Sequence, residues 1–283
     1  MKAKALLFLS IVAIAACSKV PISGRKQLNL LPASTLNSMA LTEYRTFLSQ
    51  NTVVASSDAN AQMVKRVGQR IADAATIYMR NHGQAKRIAG YKWEFNLVQD
   101  PTVNAWCMPG GKVVVYSGLL PVTQTETGLA VVMGHEIAHA IANHGNERMS
   151  QQLGVQAGQV ALDVALSQKP AETRNIFLQS FGVGAQLGLL KYSRVHESEG
   201  DHIGLIFMAM AGYNPNDAVA FWQRMQSQSG GVKPPEFLST HPSDVTRISD
   251  IKKWMPEAMK HYKPGKQQPA PPTKPTTPKS DRG

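Results

Sequence analysis

Apolar and polar positions repeat with helical period over most of the chain. In residues 34–49 and 58–80 the apolar side chains fall at three- and four-residue intervals, and Ser34 and Asp58 stand where N-caps belong. Residues 91–97 alternate one by one, the pattern of a half-buried strand. Residues 112–117 are a short β-branched run behind Pro109-Gly110-Gly111, a second strand after a turn. From Gly128 to Met149 the helical pattern returns, inside a helix that begins near Thr123. Leu129, Val131, Val132, Met133, Ile137 and Ile141 leave that run few polar sides, so it is expected to be buried. Residues 151–166, rich in Gly, Ala and Val, would cover the core or flank a cleft. Residues 174–192 lead into a helix that carries Glu197, reaches about Met210 and stops at Gly212-Tyr213-Asn214-Pro215. A short helix over 217–228 and a Ser/Gly/Pro loop over 226–235, placed to gate a cleft, follow. The pattern predicts a mostly α member of the α+β class, one domain over 35–262 with no internal repeat.

The two ends fall outside this pattern. Lys2 and Lys4 precede an apolar run from Ala5 to Ala16, broken only by Ser10. A bilayer takes about 20 residues to span, so this run is too short and reads as a signal peptide over 1–16. It ends Ile14-Ala15-Ala16-Cys17, which resembles a bacterial lipobox. That resemblance implies lipidation at Cys17, a tether over 17–34, and, with Ser18 next, sorting to the outer membrane. From 263 to 283 Pro, Lys, Gln and Thr dominate, a composition that cannot bury a core and is expected to be disordered. The formal charge is +11. Lys2 and Lys4 belong to the leader, and Lys260, Lys263, Lys266, Lys274, Lys279 and Arg282 lie in or beside the tail, so the body is only mildly basic. No basic patch with interleaved aromatics appears, which argues against a nucleic-acid partner. The tail suits anionic headgroups or the cell wall. Cys107 is left as the one free thiol, read as a small buried hydrophobe.

Candidate chemistry concentrates in the buried helix. His135-Glu136-Ile137-Ala138-His139 places two imidazoles at i and i+4, one above the other on one face, with Glu136 beside them. Two buried histidines and a glutamate need partners, and one divalent metal supplies them. Neutral imidazoles with a carboxylate ready to take a proton from water are the equipment of a zinc hydrolase, with one Zn2+ per chain. A glycine and a third histidine spaced after the motif would complete one known zinc pattern; Ala142 and Gly145 stand there instead, and His144 is out of phase. The third ligand is therefore sought in Ser193-Arg194-Val195-His196-Glu197-Ser198-Glu199-Gly200-Asp201. Glu197 and Asp201 share a helix face, so one can bind the metal while the other orients an imidazole. Glu199 is expected to be solvated, and His196 is a less favourable ligand.

These stretches together resemble the M48 family of zinc metallopeptidases. His135-Glu136-x-x-His139 is one match. Ser193-Arg194-x-x-Glu197-x-Glu199-x-Asp201 is similar to a second family segment, departing at Gly200 where alanine is usual. Asn104-Ala105-Trp106-Cys107-Met108-Pro109-Gly110-Gly111 with the strand behind it is similar to a third. The resemblance implies a zincin-like domain with a small antiparallel sheet beside the motif helix. It assigns His135, His139 and Glu197 as ligands, Glu136 as general base and Asp201 as support for a ligating histidine. Thr240-His241-Pro242, followed by Arg247, resembles a C-terminal family segment that brings His241 near the metal as ligand or transition-state donor. The subgroup most similar is the lipoprotein branch of bacterial envelopes. It implies an endopeptidase for unfolded or misassembled envelope proteins, a possible tie to outer-membrane assembly, and a site on the periplasmic face of the outer membrane. A chaperone-like binding lipoprotein with latent proteolysis is the alternative. Residues Gly111, Lys112, Val113, Val114 and Val115 are expected to form an edge strand that pairs with an extended substrate.

Overall fold

The computed structural model describes residues 17–157, 170–181, 193–227, 236–241 and 246–264. The leader over 1–16, the tail from 265, most of the 226–235 loop, and much of 151–166 and 174–192 lie outside them. The elements run β1 Cys17–Lys19, β2 Lys26–Leu28, α1 Ala33–Gln50, α2 Ala59–Asn81, β3 Glu94–Val98, β4 Ala105–Met108 and β5 Lys112–Tyr116. They continue with α3 Glu126–Ile141, α4 His144–Ala157, α5 Pro170–Ser180, α6 Arg194–Met210, α7 Asp217–Ser227, α8 Glu236–Thr240 and α9 Arg247–His261. Asp58 caps α2 as expected, accepting from the amides of Asn60 and Ala61; α1 follows Pro32, and Ser34 lies inside it. No described helix is long and apolar enough to cross a membrane.

The three-stranded sheet has the order β3-β5-β4. The expected antiparallel pair is β4 with β5, closed by the Pro109-Gly110-Gly111 turn, where Gly110 and Gly111 adopt φ of 75° and 79°. β3 adds to the other side of β5 in parallel, with Glu94 opposite Lys112 and Val98 opposite Tyr116. The sheet is therefore mixed. Helices cover both faces: Ala105, Cys107, Val113 and Val115 face the core of α2, α3, α6, α7 and α9, whereas Trp106, Met108, Val114 and Tyr116 face α1, α4 and α5. This double cover explains why β5 is apolar at successive positions. It also corrects the expectation for residues 111–115. Both edges of β5 carry ladder bonds, so it cannot receive a substrate strand; the edge strands are β3, whose outer side is met by residues 52–54, and β4.

Two further departures come from single turns. The helical run from Gly128 to Met149 is broken: α3 ends at Ile141 with Ala142 as its C-cap, Asn143 takes φ of 59°, and α4 starts at His144. Asparagine tolerates this left-handed conformation where most residues do not. Residues 17–28 are no extended tether. β1 and β2 pair antiparallel around a turn with Ile22 and Gly24 at φ of 66° and 70°, and Val20 is buried in the main core.

Candidate metal centre

α3 and α6 cross in close contact at Gly134 and Gly204. A Cβ on Gly204 would stand 2.9 Å from the backbone nitrogen of His135 and 3.0 Å from the carbonyl carbon of Gly134. Glycine at this crossing lets the two backbones approach until Glu197 meets the imidazoles of α3. We expect Gly204→Ala to cost about 1–3 kcal/mol through overpacking and to weaken zinc binding by moving Glu197 away. Urea unfolding of the metal-free protein and a zinc titration check both, and unchanged zinc affinity would refute the positional argument.

His135, His139, Glu197 and His241 converge, with one potential ligand atom from each lying within 4.8 Å of all the others. Nε2 of His135 and Nε2 of His139 are 3.0 Å apart. Glu197 oxygens lie 3.5 Å from each. His241 Nδ1 is 3.1 Å from His135 Nε2 and 2.9 Å from Glu197 Oε1, while its Nε2 faces Glu136 Oε1 at 3.3 Å. All five side chains are buried. Glu197 Oε2 and Glu136 Oε1 accept no hydrogen bond among the described residues, an arrangement that leaves buried anionic oxygens aimed at one locus. Two imidazoles and a carboxylate are a zinc donor set, so the residues fit the ion.

The surroundings divide the work among these groups. Asp201 Oδ1 lies 2.9 Å from His135 Nδ1. A carboxylate oxygen only accepts, so Nδ1 carries the hydrogen and Nε2 is left free for a metal. Arg247, only 4% exposed, donates from Nη2 to Asp201 Oδ1 at 2.8 Å. Its Nε lies 2.7 Å from Asp201 Oδ2, an ionic contact off the donor direction, and Nη1 stands 3.2 Å from Glu197 Oε2. Its guanidinium lies 3.2 Å over the Trp222 ring. Burial alone would lower the His135 pKa, but Glu197 and Asp201 outweigh it and push it up to about 9 in the metal-free protein. Burial and the neighbouring imidazoles hold His139 well below its ordinary value. Burial would raise Glu197, yet His241 and His135 hold it far below the usual carboxylate range. Burial does raise Glu136, against the pull of His241 and His135.

His241 sits at the end of α8, which is tied to the sheet. The Phe237 amide donates to Val103 O at 3.0 Å, and Asn104 Nδ2 donates to Glu236 at 3.0 Å. Phe237 stacks on the His241 ring at 4.6 Å. The two residues just before β4 are thereby engaged. Gly200 touches the centre directly, since a Cβ there would lie 2.7 Å from His139 Nε2. Glycine here thus gives the imidazoles room that a Cβ would take.

Glu199 corrects its expectation. It is 6% exposed and bound, not solvated. Its Oε2 meets His144 Nε2 at 3.0 Å, and Arg25 and Ser23 of the hairpin donate to it. His196 lies apart from the metal group, with Nε2 3.0 Å from Glu147 Oε2. Two of these residues have little signature in the sequence: His144 stands out only as a histidine out of phase with the motif, and Arg25 carries no pattern. Cys107 is buried, and burial raises its thiol pKa, which suits a packing residue.

Burial tends to raise Glu147, but hydrogen bonds from Arg25 and His196 hold its pKa at about 2, below the ordinary 4.5. A depressed carboxylate stabilises the fold above its unfolded pKa, and that contribution vanishes as pH falls through the folded value. The urea midpoint of the metal-free chain should therefore fall between pH 4.5 and about 2. Glu147→Gln should flatten the fall, and an unaltered slope would exclude Glu147 as its source.

Comparison with known proteins agrees with this geometry. Residues 58–255 match the profile of Peptidase family M48. The chain is 35% identical over 242 residues to the mitochondrial metalloendopeptidase OMA1 of Schizosaccharomyces pombe, covering 84% of this chain and 66% of that protein. It is 29% identical over 248 residues to the mitochondrial metalloendopeptidase OMA1 of Homo sapiens, covering 85% and 46%. Similarity to the beta-barrel assembly-enhancing protease of Yersinia pestis is 34% over 169 residues, covering 56% and 34%. The matches thus span about a third to two thirds of the length of these relatives.

Proposed function

The chain belongs to peptidase family M48, and from that premise we propose that it is a zinc-dependent endopeptidase cutting unfolded or misassembled proteins of a bacterial cell envelope. The observation that carries this reading is the buried convergence of His135, His139 and Glu197 with Glu136 alongside. Zinc held there supplies Lewis-acid polarisation of a peptide carbonyl and acidifies water toward neutrality. Glu136, its pKa raised by burial, takes the proton of the attacking water and returns it to the leaving amine. Asp201 keeps His135 in the ligating tautomer, and Arg247 holds Glu197 and Asp201 in place.

The leader over 1–16 and the Ile14-Ala15-Ala16-Cys17 sequence support a lipid anchor at Cys17. Multiple acyl chains hold a protein on a membrane where one does not. The relative named a beta-barrel assembly-enhancing protease supports a place at the periplasmic face of the outer membrane, beside its assembly machinery. The relatives named mitochondrial bear on the chemistry; the address is read from the leader.

The test uses the full-length protein in detergent with unfolded casein. Internal cleavage, lost on chelation and restored by one equivalent of zinc, is expected. Absence of stoichiometric zinc would sink the reading. Acyl labelling that disappears in Cys17→Ser is the parallel test of the anchor.

One observation favours a latent resting state. His241 occupies a fourth place around the metal locus, where three protein ligands and water make an open catalytic site. The α8 segment carrying it also bonds to the residues just before β4, the strand whose edge an extended peptide would use. A fourth protein ligand in that place would compete with water and hold turnover below what the site can reach. His241→Ala should then raise casein turnover, whereas a fall of tenfold or more would make His241 part of the chemistry.

A further inference from the structure

We propose that Arg25, in the N-terminal hairpin, is a positioning residue for the metal ligand His139, acting through Glu199 and His144. The proposal rests on the metal centre described above and adds a line of side chains behind it. Nδ1 of His139 lies 2.8 Å from Nδ1 of His144, and Nε2 of His144 lies 3.0 Å from Glu199 Oε2. All three side chains are buried.

The direction of this line follows from its last member. The Glu199 carboxylate only accepts, so His144 Nε2 carries the hydrogen and donates. A neutral imidazole has one hydrogen, which leaves His144 Nδ1 as an acceptor. His139 Nδ1 must then be the donor across the 2.8 Å contact. In that tautomer His139 Nε2, the nitrogen 3.0 Å from His135 Nε2, is the unprotonated one, the form in which an imidazole ligates a metal. Asp201 performs the same service for His135 in one step; for His139 it takes an imidazole and a carboxylate.

Arg25 sets the position of that carboxylate. Its Nε and Nη2 donate to Glu199 at 3.0 and 2.9 Å, and its Nη1 and Nη2 donate to Glu147 at 2.8 and 2.7 Å. Ser23 Oγ adds a bond to Glu199 Oε1 at 2.5 Å. Glu147 lies on α4 and Glu199 on α6, so one guanidinium joins both helices to the hairpin. The left-handed turn at Asn143 is what starts α4 with His144 facing His139. The hairpin next to the proposed anchor is thus part of the metal centre's support.

The test measures zinc affinity of the full-length protein by chelator competition, with circular dichroism as a fold check. Arg25→Ala should bind zinc roughly 10- to 100-fold more weakly than wild type. His144→Gln, which can accept from His139 and donate to Glu199, should stay within about threefold of wild type, while His144→Leu should show the full loss. Arg25→Ala with wild-type affinity overturns the proposal. Equal losses in His144→Gln and His144→Leu overturn it too, because packing and not hydrogen-bond direction would then be at work. Should Arg25→Ala fail to fold, the His144 pair decides alone. A wild-type protein that binds no zinc would overturn both this proposal and the reading of the site, and is told apart by that measurement.

Discussion

Glu136→Gln is expected to abolish peptide hydrolysis while leaving zinc in place. Loss of a general base costs roughly 10²- to 10⁴-fold in turnover, and glutamine keeps the shape of the side chain. The ligands His135, His139 and Glu197 are untouched by the change. Stability should not fall with activity. Burial raises the Glu136 pKa, so above its unfolded pKa the charged form opposes folding, and a neutral amide removes that opposition. The metal-free variant should therefore withstand urea at pH 7 at least as well as wild type. Casein turnover, zinc content and urea midpoint measured on one preparation separate the effects. Residual turnover within tenfold of wild type would take the base role away from Glu136.

The second large effect is on stability. Arg247→Leu should cost the metal-free protein about 3–5 kcal/mol, the range for breaking a buried ion pair from one side. Arg247 faces Glu197 and Asp201, both buried, and removing it takes from the two carboxylates their permanently charged partner, leaving imidazoles such as those of His135 and His241 beside them. Folded domains have only about 5–15 kcal/mol to lose, so the variant is expected to sit near the edge of unfolding. Zinc should recover part of the loss, because a cation at the locus compensates Glu197 and ligand binding favours the folded state. Thermal unfolding with and without zinc is the measurement. A midpoint within about 2 °C of wild type without metal would mean the two carboxylates are stable without Arg247.

How much of the centre the sequence reveals depends on the distance between partners. His135, Glu136 and His139 are legible because a helix alone puts them together, and Glu197 and Asp201 because they share one face of another. Glu199 is misread for the complementary reason. Its place on α6 points it away from Asp201, and solvent is the natural expectation for a lone glutamate. It is buried because Arg25, 174 residues earlier, comes back with Ser23 to meet it, and His144 faces it from α4. The hairpin that carries Arg25 consists of two three-residue strands, too short for alternation to register. The expectation that residues 111–115 pair with substrate fails because local sequence carries no topology. A β-rich run does not announce whether it lies at the edge or the centre, and β5 takes partners on both sides.

The sequence by itself determined the helices α1, α2, α6 and α7, the buried face of the motif helix and the donor types, since these follow from period and local spacing. The tertiary structure alone decided how closely α3 and α6 approach at Gly134 and Gly204, and how His241, which the family resemblance only implied to be near the metal, is carried there by a segment bonded to residues just before β4. It alone decided that His144, Glu199 and Arg25 stand behind His139. The physical reason is that each of these contacts joins groups on different elements. Whether such groups meet depends on the close approach of two glycines, a left-handed turn at Asn143, and the burial of charges that are tolerable only when paired.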